Sequence, residues 1–161
     1  MAKLVEAKRA SYGLTVRQQI HQHLVEKLGA MQDGGKPVWA KVYPCDIDGI
    51  DNLNMPCVGI DYGDEERVPL MGGCTDYQVP LIFMFRFAPQ IGVDEQSLFQ
   101  YYLGLLQFTI LNDPAMRTLA KSIEEVGNNH SIVGVSGVYP GGALVTKLNY
   151  RTRLNNPYEK A

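Results

Sequence analysis

Histidines, clustered carboxylates and cysteines are the residues through which a small chain carries chemistry, as bases, cation ligands or nucleophiles. His21 and His23 stand two apart in a segment of helical periodicity, which turns their side chains about 200 degrees from each other. One metal ion needs ligands three or four apart on a helix, so both histidines are expected on its surface without a shared ligand. His130, with no cysteine or paired acid beside it, is not expected to be catalytic. Asp46, Asp48 and Asp51 gather oxygen ligands as a calcium loop does, but the loop spacing is not met and no glutamate closes it. A solvated turn is expected there. No phosphate-binding Gly-Lys-Ser/Thr loop, Gly-x-Ser-x-Gly elbow, Cys-x-x-Cys pair or His-Glu-x-x-His motif occurs. Gly134-Val-Ser-Gly137 inside a strand pattern is expected to mark a bulge or close backbone approach. No catalytic, cofactor or metal site is therefore expected, and the chain is expected not to be an enzyme.

The remaining charged pattern lies near the end. Leu144, Thr146, Leu148, Tyr150, Thr152 and Leu154 alternate with Lys147, Asn149, Arg151 and Arg153, which gives a strand one basic face. Lys147, Arg151 and Arg153 either form a solvated sheet face or a positive stripe toward DNA or an acidic partner.

The elements that position these residues follow from periodicity. Thr15 and Gln18 match a capping box ahead of Val16, Ile20, Leu24 and Leu28, so a helix is expected from 15 to 29, ended by Gly29. Its opposite face carries Arg17, Gln18, His21, Gln22 and Lys27. Asp33-Gly34-Gly35-Lys36-Pro37 is a turn, and strands are expected at 38–43, 56–62 and 77–87, the last covered on both faces, with Pro80 marking an edge or bulge. Residues 63–76 read as a long contact loop. Asp94 caps a second helix to Asn112; Asp113-Pro114 opens a third, with Leu119, Ile123 and Val126, ended by Gly127. Residues 132–139 and 143–154 read as a closing hairpin around Pro140-Gly141-Gly142.

Together these make an α+β domain: a mixed, mainly antiparallel sheet packed against an N-terminal helix and a central helical pair. A single domain over residues 1–161 is expected, with a flexible arm at 1–12 and a polar tail at 155–161. The net charge of −2 gives no strong overall attraction to nucleic acid or an anionic membrane. The 45% hydrophobic and 20% charged composition is that of a folded chain. The first ten residues lack the apolar run of a signal peptide or membrane span, so a cytoplasmic life and no membrane partner are expected. Three widely spaced cysteines, Cys45, Cys57 and Cys74, fit reduced thiols rather than disulfides.

The order of elements resembles the tail terminator family of long-tailed bacteriophages, small α+β ring-forming proteins. The resemblance spans residues 15–158 and rests on the helix Thr15 to Gly29, the apolar strand Val79 to Phe87, the helical stretch Asp94 to Val126 and the strand Ala143 to Arg153, followed by Asn156-Pro157. It implies a structural virion protein: a homo-oligomeric, hexameric ring that caps the tail tube, stops its polymerisation and joins it to head–tail connector proteins. On this reading Lys147, Arg151 and Arg153 line the lumen beside passing DNA, or face the partner ring. The interface loops are those of Asp46, Asp48 and Asp51 and of Glu65, Glu66 and Arg67. A head-completion or stopper protein is the alternative, and a small cytosolic enzyme or ligand-binding domain a remoter one.

Overall fold

The computed structural model describes residues 13–131 and 139–161. The arm at 1–12 and the strand expected at 132–139, except Tyr139, lie outside the described residues.

Helix α1 (Val16–Gly29) begins as its sequence dictates. The Gln18 amide donates to Thr15 Oγ1 at 3.1 Å and the Thr15 amide to Gln18 Oε1 at 2.9 Å, which satisfies two of the otherwise orphaned donors. Val16, Ile20, Leu24 and Leu28 form its buried face. A two-residue hairpin, β1 (Gln32–Asp33) with β2 (Lys36–Pro37), closes through Gly34 and Gly35, both at positive φ. Strand β3 is only Lys41–Tyr43. The expected first half of that strand joins no ladder, although the Val38 amide donates to the Met31 carbonyl and the Ala40 amide to the Pro56 carbonyl; Val38 and Trp39 plug the core, and the Trp39 indole N–H donates to Met31 Sδ at 3.2 Å.

The spine of the molecule is β6 (Cys74–Arg86) against β8 (Gly141–Arg153), antiparallel in unbroken register from Cys74↔Arg153 to Arg86↔Gly141. Thirteen residues each give a ladder about 40 Å long at ~3.3 Å per residue. Strand β4 (Cys57–Tyr62) and strand β5 (Glu66–Leu70) share the other edge of β6, and β3 pairs β4 in parallel. Strands β7 (Ser122–Ser131) and β9 (Asn156–Lys160) share the far edge of β8. Pro80 sits in the gap between β4 and β5, where its carbonyl receives the Gly63 amide and its missing N–H costs no ladder bond.

One face of this sheet carries the core. Val79, Leu81, Phe83, Phe85 and Phe87 of β6 and its extension, with Leu144 and Leu148 of β8, pack against α1 and against α2 (Glu95–Leu111), which contributes Leu98, Phe99, Tyr102, Leu106 and Ile110. Gly142 permits this approach, since a Cβ there would meet the Phe99 ring at 2.5 Å as well as the Asn129 carbonyl.

The α+β class and the mostly antiparallel sheet match expectation; several assignments do not. The middle of β6 is covered on one face only, since Ile82 and Met84 on the other remain partly exposed. The loop at 63–76 is a hairpin: β5, the turn Met71-Gly72-Gly73 with φ of +93° and +78° at its glycines, and the start of β6. The third helix is one turn, α3 (Met116–Leu119), after which Ala120 is extended and Ser122–Ser131 is β7. Leu119, Ile123 and Val126 mimic a helical stripe, but the unfilled edge of β8 offers ten residues a ladder, and pairing wins over local spacing. Gly127 follows a bulge in β7 rather than ending a helix. The tail after Asn155 forms β9, which turns back on β8 at Thr152 and Arg153.

Candidate functional site

The sheet face turned away from the helices carries the predicted basic row. Arg151 reaches Asp76, its cross-strand partner, twice: Nε donates to Oδ1 at 2.6 Å and Nη2 to Oδ2 at 3.1 Å. Lys121 Nζ adds a bond to Oδ2 at 2.8 Å. The Arg151 hydrogen bonds above all, helped by Lys121, hold the Asp76 carboxyl down at about 2. Arg153 Nε lies 3.1 Å from Glu159 Oε1 of β9, and exposed Lys147 stands opposite Glu124 in β7. The row is therefore interleaved with Asp76, Glu124 and Glu159. Arg151 and Arg153 are thus compensated by direct ion pairs, and Lys147 has an acid at its register position on the next strand.

A second cluster joins α1 to the sheet. Tyr150 donates to Glu65 Oε2 at 2.6 Å, Arg17 Nη1 donates to the same oxygen at 3.1 Å, and the Arg17 guanidinium lies 4.6 Å over the Tyr62 ring. His21 Nδ1 and the Tyr62 hydroxyl are 2.8 Å apart. Burial, then the nearby Arg17 charge, lowers the His21 pKa, and burial pushes Tyr62 up to about 12. Both side chains are thus neutral at pH 7. An open groove of about 620 Å³ runs past Arg17, Gln18, His21 and Tyr62. Glu65, expected in a contact loop, instead fastens α1 to β8. Arg67 bonds Asn155 Oδ1 at 3.3 Å, and Glu66 stands opposite Gln78 at the start of β5.

His23 is likewise half-buried rather than a plain surface residue. Its Nε2 lies 2.5 Å from Asp113 Oδ2, Lys27 Nζ lies 3.7 Å from Oδ1, and the Ala115 amide donates to Oδ1 at 3.1 Å. The Asp113 side chain is 2% exposed. Burial alone would raise its pKa, but the hydrogen bonds from His23 and Ala115 outweigh it and the carboxyl ends below its ordinary value. As the spacing implied, His21 and His23 take separate partners. The His130 backbone lies in β7 opposite Gly142.

The acidic loop after β3 folds over the end of β4. Asp46 Oδ1 accepts the Asp48 amide at 2.7 Å, and Asp48 Oδ1 accepts from buried Arg86 at 2.8 Å. Ile47 fills the space that a side chain at Gly59 would need. Asp51, Arg86 and Tyr139 border a hollow of about 770 Å³. Among the described residues no group of three acids, histidines or cysteines is placed to hold a metal ion.

What sequence reasoning missed is apolar. Met71 at the β5–β6 turn is 102% exposed, Ile91 in the loop before α2 is 106% exposed, and Phe108 on α2 is 73% exposed. The signal for Phe108 was present: no charged residue occurs from Gln96 to Asn112, unusual for a helix with a solvent face. Among the described residues no helix is long and apolar enough to cross a membrane. No family model matches the chain, and no curated protein is similar to it.

Proposed function

We infer that this chain is a structural, non-enzymatic part of a long-tailed phage virion: a tail terminator that closes as a homo-oligomeric ring on the tail tube, stops its growth and receives the head–tail connector. The observation that carries this reading is the full exposure of Met71 and Ile91 in loops at opposite ends of the long β6 strand. A ring held between two partner assemblies needs a contact surface at each pole, and one fully exposed apolar side chain stands beyond each end of β6. The ionisable groups support the same reading, because Asp76, Glu65 and Asp113 are each committed to partners that hold the fold together. The resemblance in element order supplies the identity of the partners: tube protein at one pole, connector proteins at the other, with DNA passing through the centre. Such a protein works in the host cytoplasm during assembly and afterwards in the virion.

The reading is tested by offering the purified protein its cognate tube protein and its connector assembly in parallel binding experiments. Binding to tubes is expected. Binding to the head-side assembly alone would make the chain a head-completion protein instead.

A further inference from the structure

We propose that copies of this chain join edge to edge, with Asp64 and Glu66 at the β5 edge of one copy set against Arg117 and Lys160, beside the β7 and β9 edge, of the next. The proposal rests on the ring reading above and names its subunit contact.

The two edges of the sheet carry opposite charge. From Asp61 to Glu66 the chain has four acids and no base. Glu65 is committed to Arg17 and Tyr150, whereas exposed Asp64 and Glu66 have no ion pair among the described residues. Arg67, the one base of β5, donates to Asn155 Oδ1 and so leaves both acids uncompensated.

The far edge has the reverse excess. Residues 117–160 hold six lysines and arginines against three acids. Those acids are engaged locally: Glu159 pairs with Arg153, Glu125 accepts from Gln107 and Asn128, and Glu124 stands opposite Lys147. Lys121 and Arg151 share Asp76. Exposed Arg117 and Lys160 are left, and neither meets a carboxylate among the described residues. They stand together, because Lys160 Nζ donates to the carbonyl of Thr118, the residue after Arg117.

Register sets the two pairs at one level of the sheet. Glu66 is opposite Gln78, Gln78 opposite Asn149 and Asn149 opposite Ser122, so one rung crosses from β5 through β6 and β8 to the start of β7. A second rung runs through Pro69, Thr75, Thr152 and Lys160. Among the described residues β5 pairs only β6, and β7 and β9 pair only β8, so both outer edges are open. Within one copy β6 and β8 stand between the acids and the bases, three strand spacings or about 14 Å across. Opposite charges at the same height on opposite edges are what side-by-side repetition needs. Such a contact is heterologous, and its repetition closes as a ring or runs on as a filament. Exposed ion pairs are weak singly and are screened by salt, so these charges select which edges meet more than they supply affinity.

The test is a charge swap. One variant, D64K/E66K, makes both edges basic, and a second, R117E/K160E, makes both acidic; all four side chains are exposed, so unchanged melting temperatures are expected. Oligomers are measured by sedimentation at low ionic strength, with and without cognate tubes. Each variant alone is expected to lose the natural chain's oligomers roughly tenfold or more, because like charges then meet. An equal mixture of the two is expected to restore them, with the variants alternating. In the natural chain, carbodiimide coupling is expected to join Lys160 of one copy to Asp64 or Glu66 of another, read by mass spectrometry of the dimer band. Oligomers that persist in either variant alone, a mixture no better than its components, a natural chain that stays monomeric in both conditions, or a dimer band without that linkage each overturn the contact. Restoration by mixing in protein that never caps tubes upholds the contact and removes the terminator reading instead. Tube capping by each variant alone removes the contact and leaves the terminator reading in place.

Discussion

Two outward surfaces of this molecule are made of opposite materials. Around Asp76 the sheet presents paired charges: the carboxylate takes two bonds from Arg151 on the neighbouring strand and a third from Lys121. Along α2 the helix itself carries no charge from 96 to 112, and its exposed side mixes Ser97 and Gln100 with Tyr101, Gly104 and Phe108. The first surface is finished by the chain itself. The second leaves aromatic side chains in water, Phe108 at 73% exposure.

Substitutions can break or sharpen that contrast. The largest loss of stability is expected at neither surface but beneath α2, at Gly142→Val, which would drive side-chain atoms into the Phe99 ring and the Asn129 carbonyl. A cost of about 3 kcal/mol is expected from overpacking, read as a lowered midpoint in urea denaturation. Asp113→Ala comes next, at about 2 kcal/mol, because it strips a buried acceptor from the Ala115 amide and the His23 ring. At the finished surface, Asp76→Ala should cost about 1 kcal/mol, the upper end for a partly exposed pair. The same pair gives an acid limb. The folded carboxyl sits at about 2 against an ordinary 3.8, so its stabilisation is complete above the higher value and is lost as pH falls from there toward 2.

His21 supplies a smaller, separate pH effect. Its folded pKa lies below the ordinary 6.5, so the unfolded chain takes up the proton first and stability declines as pH drops below about that value. His21→Gln should flatten that limb in melts at a series of pH values. Phe108→Ser should change stability least, within about 0.5 kcal/mol, while reducing self-association measured by light scattering. If Phe108→Ser melted far below the natural chain, the outer face of α2 would belong to the fold rather than to a partner.

Much of the core was legible in the residues. The capping box at Thr15 and Gln18, the four-residue spacing to Leu28 and the alternation of Val79 through Phe87 and of Leu144 through Thr152 each correspond to an observed element, because those elements bury one regular face. Edge strands were not legible. In β7 the outward Ser122 and Glu124 and the inward Glu125 are all polar, since an edge is half solvated, and Leu119, Ile123 and Val126 happen to repeat at helical intervals. In β5, Pro69 is tolerated on an outer strand and disguised it as a loop. The candidate site divides in the same way. The basic row was readable from one strand, but its neutralisation was not, because Asp76 and Arg151 lie 75 residues apart and meet only through cross-strand register.

The most direct test is to polymerise the cognate tube protein with and without this chain and to image the finished tubes by electron microscopy. The terminator reading requires arrested growth and a closed ring of this protein at one end of each tube. Tubes that grow equally long in its presence, with bare ends, would contradict it.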